Sequence, residues 1–375
     1  MRDKKERSLA PLTCALLAVI GYSLLVGPIL VSRGPGWFLH VGRHDTYVPT
    51  FKQIRRILGP DAVVAGDFSH DGREFWVLAQ DPLLLEPQRD IALLDRPVYR
   101  AARIAYPAAA APWGLLGKKG LLVGLLITNL IVIAFGAYFS CLLALHVRAP
   151  PMASVFFVAS PVVALAMLLD LSDAMSLAAL VASVYLFIRG RIGWAAAAGV
   201  VAVLAKQPAL LPMIALALST PLVPRLRRFL YVAIPTAALI LWMVYAILRL
   251  GSSGSSVVEF TLPFFGYIHA VPGWLQHRLW SDAAVGLGLL PAAGVVIFRW
   301  WRKRTPVMIA ALPFALIVPF LSYPVIFTAI NSLRAFGPAI TFFGIDWLEG
   351  RGRSLTSEEP PEQPVAVPEY HHAQR

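Results

Sequence analysis

Charge is scarce in this 375-residue chain: 14% of its residues are Asp, Glu, Lys or Arg, against about 25% in an ordinary soluble domain. Acidic residues are the scarcer sign, 21 against 33 Lys and Arg, which leaves a formal net charge of +12. Cysteine is nearly missing, and Cys14 and Cys141 both lie in apolar stretches. Two such thiols make neither a disulfide framework nor a cysteine metal site. What fills the composition is apolar: 58% hydrophobic residues and a mean hydropathy of +0.67. That excess of apolar surface needs lipid as its solvent. It excludes a cytosolic enzyme, a secreted disulfide scaffold and a disordered tail protein. The positive charge does not point to nucleic acid, because the basic residues fall in short clusters between apolar stretches, the pattern of the positive-inside rule.

About 20 apolar residues cross a bilayer as a helix. Ten stretches are candidates: 8–31, 121–146, 152–169, 173–188, 192–205, 208–223, 229–250, 281–298, 306–330 and 334–348. Several are short, and the 173–205 pair is split by Arg189-Gly190-Arg191. The first is longer than the apolar core of a signal peptide, about 7–15 residues, and lacks a clear cleavage site, so it is expected to stay as a span. With ten spans and the N-terminus inside, the clusters at Arg2–Arg7, Arg148, Arg189/Arg191, Arg225–Arg228, Arg299–Arg304 and Arg351/Arg353 all face the cytoplasm. Lys118-Lys119 is the exception. Reading 102–117 as a further span would turn most clusters outward, so that stretch is expected to be a helix along the outer interface. The expectation is thus an all-α polytopic integral membrane helical bundle over 1–349, with both termini cytoplasmic in the cell inner (plasma) membrane. A long first extracytoplasmic loop (32–120) carries interfacial helices. A second outer loop (251–280) opens with the flexible run Gly251-Ser252-Ser253-Gly254-Ser255-Ser256. The Pro- and Glu-rich tail, 350–375, is expected to be disordered in the cytoplasm.

Polar groups kept in such a chain are informative, because lipid penalises them. On this topology, charges outside the basic clusters gather at the outer face: Asp170 and Asp173, Lys206, then His277, Arg278 and Asp282, then Asn331 and Arg334. The densest polar segment is Gly66-Asp67-Phe68-Ser69-His70-Asp71-Gly72-Arg73-Glu74, with three carboxylates and a His in eight positions. A general base needs a carboxylate beside a hydroxyl, and Asp71-Gly72 suits a turn that presents one. The plain alternative is an ordinary Asp-Gly turn. Arg100 and Arg103, three apart, share a helix face and can clamp a phosphate, or simply touch lipid headgroups. Lys206 precedes Pro208, where a helix breaks. It either snorkels to the surface or neutralises an anionic leaving group. Asp170 and Asp173 are candidates for binding a cation or orienting an acceptor, with helix N-capping the plain reading for Asp173.

The order of these parts resembles the C superfamily of glycosyltransferases (GT-C), which take sugars from polyprenyl-phosphate carriers. The segment His70-Asp71-Gly72-Arg73-Glu74-Phe75-Trp76, followed by Ala79-Gln80-Asp81-Pro82, is similar to a block of a largely actinobacterial group of such membrane proteins. Leu94-Asp95-Arg96-Pro97-Val98-Tyr99-Arg100 with Arg103 and Tyr106-Pro107 is similar to that group's second block, and Asp173 and Ala205-Lys206-Gln207-Pro208 to later ones. The likeness covers roughly residues 8–220. Glu74 stands where relatives carry an aromatic, which leaves Asp71 and Glu74 both open as the working carboxylate. Lys206-Gln207-Pro208-Ala209 replaces an Arg-x-x-Gly-type turn, keeping the charge and changing its geometry.

What the resemblance implies is a mannosyltransferase-like transfer of a hexose or pentose, with inversion, from a polyprenyl-phosphate sugar to a cell-envelope glycan or protein on the outer face. Asp71 is the expected base, with Asp67 behind it and Glu74 as the third candidate. Arg100, Arg103 and Lys206 are the expected phosphate partners, and His70, Asp173 and Arg334 complete the binding set. A divalent cation, magnesium or manganese, is used by some relatives and not others. Asp71, Asp170 and Asp173 are its candidate ligands. The partners expected are therefore the lipid-linked donor, the envelope acceptor and membrane lipids, and no nucleic acid. The competing readings are a non-catalytic subunit of an envelope-glycopolymer assembly system and a transporter or flippase for a lipid-linked glycan. The transferase reading requires the acidic and cationic side chains to converge on one pocket.

Overall fold

The computed structural model describes residues 2–43, 49–66, 69–220, 223–251 and 259–350. Asp67, the Ser run after Gly251 and nearly all of the tail, 351–375, lie outside the described residues.

The described chain is overwhelmingly helical. Helix α1 (Arg2–Arg33) leads into a connecting segment with α2 (Pro49–Leu58), α3 (Gly72–Gln80), α4 (Pro87–Leu93), α5 (Pro97–Ala101) and α6 (Ala105–Ala110). Then come α7 (Gly117–His146), α8 (Val155–Val158), α9 (Pro161–Leu169), α10 (Asp173–Ile188), α11 (Ile192–Ala205) and α12 (Leu210–Ser219). The last third holds α13 (Arg225–Leu250), α14 (Phe265–His277), α15 (Trp280–Lys303), α16 (Pro306–Leu316), α17 (Tyr323–Ile326) and α18 (Ala329–Trp347). Two short parallel strands, β1 (Val41–Gly42) and β2 (Val64–Gly66), pair Val41 with Val64.

Four stretches are long and apolar enough to cross a membrane: Leu9–Arg33, Ala105–His146, Arg225–Leu250 and Trp280–Lys303. The pair α8 and α9 makes a fifth if taken as one span bent by 49°. Pro161 explains that break. It removes a helical N–H and holds the preceding Ser160 in extended backbone. Prolines also divide the expected 306–330 span, where a 3-10 turn at Val318–Phe320 and the short α17 follow α16. Helices α10, α11 and α12 are apolar but shorter. Gly190, at φ 71°, makes the turn between α10 and α11.

Burial separates these helices by role. α10 is buried almost all round, as befits a helix apolar on every side, and it packs on α7, α9 and α11. α1, α13 and α15 expose most of their apolar side chains, which suits helices facing lipid. The stretch expected along the interface, 102–117, contains α6 and a 3-10 turn (Ala111–Leu116) that passes into α7 without a loop. Lys118 Nζ donates to the Ile57 carbonyl at 2.9 Å, and Lys119 lies 3.9 Å from Asp61, so both reach back to the connecting segment. The second expected outer loop contains a helix, α14. A short clip beside it pairs Phe260 with Leu321, through Thr261 N–H to Phe320 O at 2.7 Å and Ser322 N–H to Glu259 O at 3.0 Å.

Candidate functional site

Asp71 immediately precedes α3 and does not use its carboxylate as a helix cap. The residue after it has a packing reason to be glycine. A Cβ on Gly72 would stand 2.5 Å from the Leu169 carbonyl oxygen, so only glycine lets α3 start against the turn between α9 and α10. The chain before Asp71 is tied down as well: Gly42 N–H donates to Ser69 Oγ at 2.7 Å, and His70 N–H to His40 O at 3.2 Å.

Three guanidiniums converge on the carboxylate so held. Arg100 donates to Oδ1 at 2.5 Å, and Arg103 and Arg334 donate to Oδ2 at 3.1 and 2.9 Å. Arg334, in α18, also grips Asp173 Oδ2 through Nε at 3.1 Å and Nη2 at 2.8 Å. Lys206 holds Asp173 Oδ1 at 2.5 Å. The result is a chain of alternating charge running from the first connecting segment through α18 to the start of α10 and the end of α11. Around it, Asp95 binds Arg100 through both oxygens at 2.8 and 2.9 Å. Glu259 accepts from Arg103 at 2.7 Å and from the Tyr99 hydroxyl at 2.8 Å. Arg103 stands over the Tyr99 ring, 4.4 Å from its centroid.

These groups line a cavity of about 210 Å³, far above the ~10–15 Å³ that a single water needs. Its wall also holds the apolar residues Val162, Phe314 and Ile317, with Leu177 and Leu180, which lie one and two turns along α10 from Asp173. Its formally charged lining consists of Arg96, Arg100, Arg103, Lys206 and Arg334 against Asp71, Asp173 and Glu259, an excess of two positive charges. Burial would raise the Asp71 carboxyl, but Arg100, Arg334 and Arg103 together hold it well below the usual carboxylate range. Burial would likewise lower Arg100, and Asp71 and Asp95 instead keep it well above its usual value. Burial pushes the Tyr99 hydroxyl up to about 12, so it stays a donor to Glu259.

The cavity therefore gathers Asp71, Arg100, Arg103, Lys206, Asp173 and Arg334. Other expected members stand elsewhere. Glu74 is buried and hydrogen-bonded to its neighbour Arg73, with Nε at 2.9 Å, and it does not line the cavity. Burial raises its carboxyl. His70 packs against His40, with ring centroids 4.8 Å apart. Asp170 also departs from the expected set. It adopts left-handed backbone at φ 49°, its Oδ1 accepts from the Tyr106 hydroxyl at 3.5 Å, and it does not line the cavity. The three carboxylates proposed for a cation are thus not one group. Asp71 and Asp173 share Arg334, Asp170 is separate, and no cluster of three or more His, Cys, Asp or Glu suited to a metal occurs among the described residues. Asp173 opens α10 without capping it, so the capping reading is not the one observed. Arg103 lies just past α5, in the turn made by its N–H to Arg100 O.

Glu259 is the member that sequence patterns did not single out. The one available signal was that it is the sole carboxylate in 251–280.

Burial lowers the His70 imidazole to about 4, with His40 and Arg334 adding to the effect. A lowered value means that unfolding takes up a proton, so this stabilisation is complete above the unfolded pKa of about 6.5 and is lost as pH falls through about 4. His70→Gln is expected to flatten the fall of the thermal midpoint between those pH values. An unchanged slope would show that His70 titrates as freely in the fold as outside it.

No family model matches the chain, no curated protein matches it, and no solved structure matches it. Fold and site by themselves define an all-α membrane bundle with a paired-charge cavity at one end.

Proposed function

We propose that the chain is a membrane glycosyltransferase of the GT-C type, moving a sugar from a polyprenyl-phosphate carrier to a cell-envelope glycan or protein. In this reading the bundle has ten spans in the plasma membrane, both termini cytoplasmic, and the Asp71 end faces out. The observation that carries the reading is the mixed lining of the cavity, which joins an excess of positive charge to apolar walls. A phosphate bearing an isoprenoid tail combines the same two needs.

The chemistry is a single displacement. The acceptor hydroxyl gives its proton to the Asp71 carboxylate as its oxygen bonds to the anomeric carbon. The bond from that carbon to the phosphate oxygen breaks, the electron pair leaves with the lipid phosphate, and the configuration inverts. Arg100, Arg103, Lys206 and Arg334 are fixed positive charge where negative charge develops. Asp71 held by three arginines is a weak base, and the incoming phosphate corrects this. It competes for the same guanidiniums, and each one drawn away raises the carboxylate's proton affinity. Asp71 with Asp173 is the pair that would meet a divalent cation.

The saturation of Asp71 also favours a second reading, a non-catalytic subunit of an envelope-polymer system. Purified protein in liposomes, given radiolabelled polyprenyl-phosphate sugars and envelope glycan acceptors, separates the two. Label appearing in the acceptor with inverted configuration supports the enzyme. Label that stays on the carrier throughout the panel contradicts it, and labelled carrier crossing the bilayer unaltered supports a flippase.

A further inference from the structure

The second candidate site lies at the other end of the bundle. Lys206 is at the Asp71 end, and α12 runs away from it to Ser219. The start of α13 is therefore on the far face, where Arg225, Arg227 and Arg228 open the helix. None of the three has a carboxylate partner among the described residues. Arg228 Nη1 is fixed on the Ala217 carbonyl at 3.2 Å, and its Nε is buried without a hydrogen bond. Pro224, the capping residue of α13, supplies no side-chain cap, and the N-terminus of a helix favours an anion.

From these cations an apolar groove of about 650 Å³ runs between α12 and α13. Ala217, Ala233 and Ala237 leave its floor low, while Phe229 and Ile240 stand exposed along it. Arg225 to Ile240 covers fifteen helical steps, about 22 Å, enough to take an acyl chain through one leaflet of a bilayer whose hydrocarbon core is about 30 Å thick. No carboxylate lines the groove.

We propose that this groove binds one anionic glycerophospholipid, its phosphate at Arg225 and Arg228 and one acyl chain along Ala233 and Ala237. The charge complementarity names the occupant. A zwitterionic lipid would set its own cation among the arginines, and a second copy of this chain would bring the same positive end. The inference rests on the membrane bundle alone, and it stands whether or not the transferase reading does.

The test is native mass spectrometry in a non-ionic detergent, titrating dioleoyl-phosphatidylglycerol against dioleoyl-phosphatidylcholine. One phosphatidylglycerol is expected to bind about tenfold more tightly than phosphatidylcholine. R225Q/R228Q is expected to erase that preference with the phosphatidylcholine affinity unchanged, and Ala233→Phe to weaken both lipids by filling the floor. R225K/R228K keeps the charge and must keep the preference, which guards against a double variant that fails to fold. Equal affinities in the wild type, an intact preference in R225Q/R228Q, or a dimer joined through this face would each overturn the proposal.

Discussion

Asp71→Asn is expected to cut sugar transfer by about 10²–10⁴-fold, the range of a lost general base, while binding of the lipid phosphate tightens. The two effects have one cause. Asn keeps the shape of Asp and cannot take the proton. It also gives up the negative charge shared by Arg100, Arg103 and Arg334, leaving one donor of each guanidinium for phosphate while Asp95, Glu259 and Asp173 keep the others. Recovery of one charge-assisted hydrogen bond is worth about tenfold in affinity. A purely structural Asp71 gives the opposite pattern, with affinity and transfer falling together as the cluster comes apart. The non-catalytic reading gives tighter binding with no transfer to lose.

Arg334 should dominate stability as Asp71 should dominate turnover in the proposed transferase. It is buried and bridges two carboxylates from distant parts of the chain, Asp71 and Asp173. Arg334→Met leaves both without their shared cation and is expected to cost about 3–5 kcal/mol, the usual penalty for breaking a buried pair from one side. Asp173→Asn alone takes from Lys206 its carboxylate partner and from Arg334 one of its two, and should cost a similar amount. The double variant removes both sides of the Asp173–Arg334 pair, so it should be less damaging than the two losses added together, by about 1–3 kcal/mol. Denaturant unfolding of the four proteins in one detergent measures that coupling. Additive losses would mean that the pair is held apart by water and contributes nothing to the bundle. Arg334→Lys should rescue little, because a single ammonium cannot fork between two carboxylates.

Much of this site can be read from local sequence, because local spacing carries its information. Asp71, Arg100 and Arg103 come from two short blocks of the first connecting segment. Lys206 is marked by Pro208, whose effect appears as the extended backbone at Lys206 and the 3-10 turn Gln207–Ala209. Other features depend on contacts that no local pattern encodes. Glu259 meets Tyr99 across 160 positions of chain, and nothing near either residue announces the other. Glu74 shares the dense acidic segment with Asp71, yet its place inside α3 pairs it with Arg73. Asp170 and Asp173 look equivalent in the sequence. Asp170 is itself left-handed and ends α9, whereas Asp173 is the first residue of α10, so no helix carries both on one face. The broken spans were closer to legible: Ser160-Pro161 and the prolines at 313, 319 and 324 lie inside stretches whose hydropathy alone reads as continuous.

The most direct measurement is a titration of farnesyl phosphate, with farnesol as the control, into wild type and Asp71→Asn. If the cations that Asp71 holds are the ones that receive a lipid-borne phosphate, the wild type binds farnesyl phosphate well above farnesol and the variant binds it about tenfold more tightly still. Equal affinity for the phosphate and the alcohol, or weaker phosphate binding in the variant, would contradict the account.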